Sequence, residues 1–284
     1  MFGAIIGDIV GSTYEVEEVN YWIKNHSPRP YEERIKIMDK TTPLFKEESI
    51  PTDDTCWTLA ILSAIIDGDC DYETYLREYG EAEIKKGPDK FGRPRFGPGS
   101  MSWLEGKSKG HSLGNGGAMR ISPIGFLFDN IEQIKEESYH ATIPTHNTEE
   151  ALKSAEAVAI TIYLLRIGMP KEEVKDYIEK RYYNLDYNLE ELRHNYTFKS
   201  KAKNSVPIAI YCFFEGEDFE DSLRKAISIG GDSDTIASIT GAIAESYYGV
   251  PDDLKEKART YLDENANNLL DQIYEKGKRK THEI

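Results

Sequence analysis

Two acidic clusters, far apart in the chain, carry the side chains best suited to binding a metal ion. Residues 52–55 read Thr-Asp-Asp-Thr, and residues 232–235 read Asp-Ser-Asp-Thr after two glycines. Each cluster is followed by an apolar run with helical spacing, so both place carboxylates and hydroxyls at the start of a helix. Carboxylates that converge repel each other unless a cation lies between them. The sequence therefore predicts a two-part, oxygen-rich metal site.

Either cluster alone also fits an ordinary helix N-cap. Thr and Asp cap the first turn of a helix, and acidic side chains suit the positive end of its dipole. The joint occurrence favours the metal site, because both clusters pair two aspartates and end in a threonine. Hard oxygen ligands suit Mg²⁺, Mn²⁺ or Ca²⁺ rather than zinc or copper. Four aspartates in one site predict about two divalent ions.

Three further features could act beside such a site. Glu15 lies in the predicted first helix and is a candidate ligand or general base, although a solvated surface glutamate has the same signature. Residues 113–120 form a glycine-rich loop that enters a helix, and such loops either cradle phosphates or serve as plain turns. His146 precedes a clear helix and, taken alone, fits a structural role. The sequence has no His-Glu-x-x-His motif, which disfavours zinc protease activity.

Helical periodicity dominates the elements that must position these residues. The pattern predicts helices over residues 53–66, 148–167, 219–228, 234–248 and 252–275. Asn147 can cap the second of these. Strand signals are weak. Residues 19–51 and 87–117 are rich in Pro, Gly and charge, and we expect them to form long surface excursions. The sequence therefore predicts an all-α fold.

Composition narrows the class of protein further. The 284 residues are 39% hydrophobic and contain no evident linker, which predicts one domain over residues 1–284. A net charge of −15 disfavours binding to nucleic acid. Three cysteines without CxxC spacing fit a reducing compartment. No basic signal-peptide segment and no apolar run of roughly 20 residues is present. We expect a cytoplasmic, soluble protein without membrane association, with a monomer as the simplest state.

Taken in order, these motifs resemble the ADP-ribosylglycohydrolases of the dinitrogenase-reductase-activating and ADP-ribosyl-acceptor hydrolase type. The resemblance covers nearly the whole chain. It is carried by residues 7–15, 52–55, 114–120, 146–147, 205–207 and 230–237, with Gly241 and Tyr248-Gly249 beyond. Each motif alone is weak, whereas the ordered set is highly specific.

The resemblance implies a compact, orthogonal multi-helix domain with a binuclear Mg²⁺ or Mn²⁺ centre in a central ADP-ribose cleft. Carried over by position, the implied metal ligands are Thr52, Asp53, Asp54, Asp232, Asp234 and Thr235. Glu15 matches the family's mobile acidic residue near the metals. The attacking water could be activated by Asp53, Asp54 or Glu15, and the sequence does not choose among them.

The resemblance also implies a substrate site. The diphosphate and ribose would be held by the loop residues Gly114, Asn115, Gly116 and Gly117, and His146 would line the same cleft. The implied reaction cleaves the glycosidic bond between ADP-ribose and an acceptor on a protein or a small conjugate. Residues 195–204 and the insertion-like segment between Glu15 and residue 52 could border the cleft and alter which acceptor is bound.

ADP-ribosyl-arginine on protein is the first expectation for the substrate. O-linked ADP-ribose, on serine or in O-acetyl-ADP-ribose, is the close alternative. Two other classes stay open: a catalytically silent ADP-ribose binder, and a metal-dependent phosphohydrolase that cleaves the diphosphate. Intact acidic side chains at every expected ligand position argue against the silent binder.

Overall fold

The computed structural model describes residues 1–280, with side chains through Tyr274. Over this range the regular elements are helices, accompanied by two isolated β-bridges, which confirms the predicted all-α fold. The helices are α1 (Phe2–Asn25), α2 (Tyr31–Arg34), a 3₁₀ helix (Ile35–Met38), α3 (Asp53–Asp67), α4 (Tyr72–Lys85), α5 (Pro98–Leu104), α6 (Gly116–Met119), α7 (Ser122–Leu127), α8 (Ile131–Thr142), α9 (Glu149–Arg166), α10 (Lys171–Arg181), α11 (Leu189–Asn195), α12 (Ala202–Glu215), α13 (Phe219–Ser228), α14 (Ser233–Tyr248), α15 (Asp252–Arg259) and α16 (Glu264–Lys280). None of these helices is both long enough and apolar enough to cross a membrane.

Helix α14 lies at the centre of the fold. Every residue from Ser233 to Ala244 is buried, because α1, α3, α9, α12 and α13 surround the helix. The first half of α1 is buried in the same way, from Phe2 to Tyr14. A helix that is enclosed on all sides needs small or apolar side chains around its whole circumference, and both segments have that composition. Both acidic clusters therefore start helices that pack within the core.

Three glycines of α1 bring its backbone into direct contact with α14. They are spaced by four residues, so they share one face of the helix. A Cβ atom added at Gly3 would lie 2.0 Å from the carbonyl oxygen of Gly241, and one added at Gly7 would lie 2.0 Å from that of Ala237. At Gly11 it would lie 2.5 Å from the Cα atom of Asp234. This glycine seam fixes α1 against the start of α14.

Most predicted helices are confirmed to within two residues, and two local predictions are wrong. Residues 252–275 form two helices rather than one, because the chain turns between Arg259 and Glu264. Asn147 does not cap α9; the N-cap is Thr148, and the Asn147 side chain hydrogen-bonds the His111 ring instead. The His111 contact is a tertiary one, whereas the turn before α16 is held locally by Asp263, whose carboxylate accepts a 2.9 Å hydrogen bond from the Ala266 amide.

The segment between α1 and α3 is held tightly rather than extended into solvent. Helix α1 continues to Asn25, beyond the start of the predicted excursion. Arg34 then forms a buried ion pair with Glu18 of α1, with Nε–Oε1 and Nη2–Oε2 distances of 2.9 and 2.8 Å. Arg34 also donates to the carbonyl oxygen of Arg193. The segment is thus anchored beside Gly230, where the loop to α14 begins.

The glycine seam predicts a strong effect of one methyl group. We expect Gly7→Ala to lower the free energy of unfolding by about 3 kcal/mol or more, because its Cβ atom overlaps a backbone carbonyl that cannot move independently. Urea unfolding followed by circular dichroism measures the change. Gly99→Ala is the matched control, since that exposed helical glycine has open space around it. Equal stability of the two variants would contradict the seam.

Candidate metal centre

Three helices bring five carboxylates together. Asp8 and Glu15 come from α1, Asp54 from the first turn of α3, and Asp232 and Asp234 from the start of α14. Oxygen atoms of Asp8, Asp54 and Asp234 lie within 4.8 Å of one another, and those of Glu15, Asp232 and Asp234 form a second such group. Asp234 belongs to both groups, so the two potential cation positions adjoin.

Asp8 connects α1 to the start of α3. Its Oδ1 atom accepts a 2.6 Å hydrogen bond from the Thr52 hydroxyl, and its Oδ2 atom accepts from the Thr52 and Thr55 amides at 2.8 and 3.0 Å. The Thr55 hydroxyl donates to Oδ2 as well. Since its oxygens already accept four hydrogen bonds, Asp8 positions the first turn of α3. The Thr52 hydroxyl, having donated its proton, keeps oxygen lone pairs for a cation.

The surroundings of the Asp54 carboxylate indicate whether a metal ion fits between the acidic side chains. Its side chain is buried, and Oδ2 accepts a 3.2 Å hydrogen bond from the Thr235 hydroxyl. The Oδ1 atom is buried and has no hydrogen-bond partner among the described residues. A buried carboxylate oxygen without a partner is costly, and a bound cation removes that cost. Carboxylate and hydroxyl oxygens form the donor set that suits Mg²⁺ or Mn²⁺.

The start of α14 is not an ordinary N-cap. Asp232 occupies the N-cap position of α14, but its side chain makes no capping hydrogen bond. Its Oδ2 atom instead accepts a 2.7 Å bond from Asn115 of the glycine-rich loop. In α3, by contrast, Thr52 does cap, with a long 3.4 Å contact to the Asp54 amide. Capping therefore explains part of the first acidic cluster and does not explain the second.

Asp53 lies outside both oxygen groups. It is half-buried and lines a cavity of about 330 Å³ together with Glu15 and Asp234. The structure thus brings together five of the six residues that the resemblance implies as ligands and places Asp53 at the edge. The six metal ligands predicted from the sequence lie at two helix starts: Thr52, Asp53 and Asp54 at α3, and Asp232, Asp234 and Thr235 at α14.

Burial raises the pKa of every carboxylate in the centre, Asp8 included, and repulsion from neighbouring carboxylates adds to the rise at the others. Desolvation, followed by the charge of Asp8, raises the pKa of Asp53 to about 7. The pKa of Asp232 rises to about 7 and that of Glu15 to about 8, in each case through burial first and a neighbouring carboxylate second. The pKa values of Asp54 and Asp234 are also raised by burial. Such a site takes up protons or cations at neutral pH.

The glycine-rich loop packs against the acidic centre and against His146. A Cβ atom at Gly116 would lie 2.8 Å from the His146 ring, and one at Gly117 would lie 2.5 Å from a Thr142 methyl group. The Asn115 amide donates to the carbonyl oxygen of Ser200, so residues 195–204 border this loop as expected. Gly114, Gly116 and Gly117 have no left-handed backbone, so close packing rather than turn geometry requires them.

His146 presents one ring nitrogen to the glycine-rich loop. The Thr145 hydroxyl lies 2.6 Å from Nδ1 and also accepts a 2.6 Å bond from Arg120. We assign the hydroxyl proton of Thr145 to Nδ1, since the hydroxyl already accepts from Arg120, and this assignment leaves the His146 proton on Nε2. Burial and the nearby Arg120 charge lower the pKa of His146 to about 3. His146 is therefore a neutral N–H donor beside Gly114.

Two residues of the site were missed by sequence reasoning. Asp8 is the one charged side chain between Phe2 and Tyr14, and a charge within such an apolar helix was a usable signal. Arg93 pairs with Glu15 at the cavity, but nothing in the sequence around Arg93 indicated a partner 78 residues away. Residues 87–117, expected as a surface excursion, thus supply one wall of the cavity.

The shared position of Asp234 predicts the effect of its removal. We expect Asp234→Asn to weaken Mn²⁺ binding by about 100-fold or more, because one carboxylate is lost from both oxygen groups. Isothermal titration calorimetry measures the affinity. Asp252→Asn is the matched control, an exposed aspartate in the first turn of α15. Wild-type affinity in the Asp234 variant would refute the metal assignment.

The raised pKa values predict a pH dependence of metal-induced stability. Between about pH 4 and 8 the metal-free native site binds more protons than the unfolded chain, so its carboxylates contribute less stability as the pH rises. A bound ion replaces those protons. We expect the increase in melting temperature from EDTA to Mn²⁺ to be larger at pH 8 than at pH 5.5. A constant difference would show that the ion binds elsewhere.

Known proteins resemble large parts of the chain. The family model for ADP-ribosylglycohydrolases matches residues 1–282. ADP-ribosylhydrolase ARH3 of Mus musculus is 25% identical, over 87% of this chain and 82% of its own, and ADP-ribosylarginine hydrolase Tri1 of Pseudomonas putida is 23% identical, over 88% and 70%. An uncharacterized protein of Archaeoglobus fulgidus is 31% identical over 55% of this chain and 57% of its own length.

A solved structure of a related protein has the same fold. A solved structure described as an ADP-ribosylglycohydrolase-related protein complex superimposes with a TM-score of 0.62 at 20% identity, covering 92% of this chain and 97% of the other. The structural superposition establishes the fold, and the family match establishes the relationship. The resemblance inferred from the ordered motifs is confirmed. The chain belongs to the ADP-ribosylglycohydrolase family and is a hydrolase of glycosyl bonds.

Proposed function

We propose that the protein releases ADP-ribose from a modified acceptor by hydrolysing the bond to the distal ribose, with two divalent ions, Mg²⁺ or Mn²⁺, as cofactors. The observation that carries this proposal is the convergence of both helix-start clusters around a buried, unpartnered oxygen of Asp54. The acids adjoin the glycine-rich loop through the Asn115–Asp232 hydrogen bond. A metal site beside a glycine-rich loop suits a substrate that has ribose hydroxyls and a diphosphate.

The bound ions would hold the hydroxyls of the distal ribose and orient its anomeric carbon. Around that carbon, the side chains of the centre supply negative charge. Glycoside cleavage passes through an oxocarbenium-like state, which such a carboxylate-rich cleft stabilises. The His146 ring would donate a hydrogen bond from Nε2 to the substrate beside the glycine-rich loop. The loop residues Gly114, Asn115, Gly116 and Gly117 would contact the diphosphate and ribose.

Burial separates the three candidates for activating the water. Asp54 is 2% exposed and accepts from Thr235, so it suits a ligand that does not meet solvent. Glu15 and Asp53 line the cavity of about 330 Å³. Each of these two could accept a proton from a water that enters there. We assign water activation to this pair and metal binding to Asp54.

Two acceptors are supported by different observations. The name of the relative Tri1, an ADP-ribosylarginine hydrolase, supports the arginine linkage that the sequence favours. The ion pair between Arg93 and Glu15 favours the O-linked alternative, because Glu15 is already paired and Arg93 would repel a substrate guanidinium placed beside it. The three cysteines are free, which fits the reducing cytoplasm that we propose as its location.

The activity is tested with two ADP-ribosylated peptides, one modified on arginine and one on serine. We expect free ADP-ribose in the presence of Mg²⁺ or Mn²⁺ and none in EDTA, measured by mass spectrometry. The Asp234→Asn variant should be inactive, while Asp252→Asn should match the wild type. Release of AMP would indicate diphosphate cleavage instead. Bound ADP-ribose without release from either peptide would indicate a silent binder.

A further inference from the structure

A guanidinium group lies at the outer edge of the metal centre, between two carboxylates. The Nη1 atom of Arg93 donates to Glu15 Oε2 at 2.8 Å, and its Nε atom donates to Asp89 Oδ2 at 2.8 Å. The Arg93 side chain is 31% exposed, whereas those of Glu15 and Asp89 are 16% and 5% exposed. The cation therefore closes over two largely buried anions, and one of them belongs to the metal centre.

The loop around Arg93 holds this guanidinium in place. The other oxygen of Asp89, Oδ1, accepts hydrogen bonds of 2.8 Å from the amides of Phe91 and Arg93. The Asp89 amide in turn donates to the Arg93 carbonyl at 2.9 Å. The same aspartate thus fixes both the backbone and the side chain of Arg93. A cation that is pre-positioned in this way costs little entropy to keep beside Glu15.

The position of Arg93 corresponds to the acceptor side of the proposed reaction. Within the described residues, the cavity is lined by Glu15, Asp53, Asp234 and Arg93, and not by the glycine-rich loop or His146. The loop instead reaches the acids through Asn115. If ADP-ribose lies along the loop with its anomeric carbon at the acids, the group attached to that carbon points into the cavity with Arg93.

We propose that Arg93 selects a neutral, O-linked acceptor and disfavours ADP-ribosyl-arginine; this rests on the proposed function. A substrate guanidinium would need carboxylate partners, and Glu15 and Asp89 are already paired with Arg93, while Glu83 is paired with Arg95. The other two carboxylates of the cavity, Asp53 and Asp234, are assigned to the water and the metal ions. A substrate guanidinium placed beside Glu15 would also be repelled by Arg93, which disfavours the arginine-linked substrate. A serine acceptor brings no charge and leaves the Arg93–Glu15 pair intact.

Hydrolysis of an O-linked substrate consumes one water molecule. The water oxygen forms the new bond to the anomeric carbon, and the bond from that carbon to the serine oxygen breaks. One proton of the water stays on its oxygen as the new hydroxyl group of the ribose. The other passes to a carboxylate, which gives it up to the serine oxygen, so that serine leaves as the alcohol and the carboxylate is regenerated. Arg93 makes no bond in this reaction; it is a specificity-determining residue that acts through its charge and its pairing with Glu15.

The test compares the ratio of kcat/KM for two peptides of the same sequence, modified on serine or on arginine. We expect the wild type to prefer the serine peptide, and Arg93→Gln to raise the arginine-to-serine ratio about tenfold or more. Arg93→Lys keeps the charge and should keep the ratio closer to that of the wild type. The affinity for free ADP-ribose, measured by calorimetry, should be the same in Arg93→Gln and the wild type, because that ligand carries no acceptor.

Arg95→Gln is the matched control. Arg95 lines the same cavity, but its guanidinium pairs with Glu83 and the Gly87 carbonyl rather than with Glu15. Its replacement should leave the ratio unchanged. An arginine preference in the wild type, or an unchanged ratio in Arg93→Gln, would overturn the role of Arg93 while the hydrolase stands. Release from neither peptide by the metal-loaded wild type would overturn the proposed function and this inference together.

Discussion

The backbone contact between α1 and α14 is the constraint on which the rest of the structure depends. Glycines at every fourth position of α1 allow two helices to approach to a distance that any side chain would prevent. Because the approach continues to Gly11, α1 delivers Asp8 and Glu15 to the first turn of α14. Van der Waals contact between two rigid helices thus sets distances between carboxylates that electrostatic repulsion would otherwise increase.

Repulsion in the centre is offset by different means at different residues. Asp8 is satisfied by backbone amides and threonine hydroxyls, and Asp232 by the amide of Asn115. Glu15 is paired with Arg93. Asp54 alone keeps a buried oxygen without any partner among the described residues. The protein therefore neutralises the outer carboxylates with its own donors and leaves the inner ones to a cation, which concentrates the binding energy for the ion where the two oxygen groups meet.

The sequence predicted what depends on local pattern. The helix start at residue 53, the start predicted at 234 and observed at 233, the acids at those starts and the all-α class follow from periodicity and capping chemistry. It missed what depends on contacts across the chain. Asp8 and Arg93 acquire their roles only when α1 meets α3 and when a loop 78 residues away reaches Glu15. The turn that divides α15 from α16, by contrast, is held by local hydrogen bonds of Thr260 and Asp263.

Two sides of the cleft limit the effect of positive charge on the reacting carbon in different ways. The inner wall is the side of the glycine-rich loop and His146, and the outer wall is the side of the cavity and Arg93. Positive charge develops at the anomeric carbon during glycoside cleavage, so an unpaired cation nearby would raise the barrier. On the inner wall, Thr145 stands between Arg120 and the neutral His146 ring, and the Arg120 guanidinium lies over Trp57. On the outer wall, Arg93 is compensated by two carboxylates. An acceptor that broke this compensation would add a cation to the cavity just as positive charge forms, which is the physical reason for an acceptor without charge.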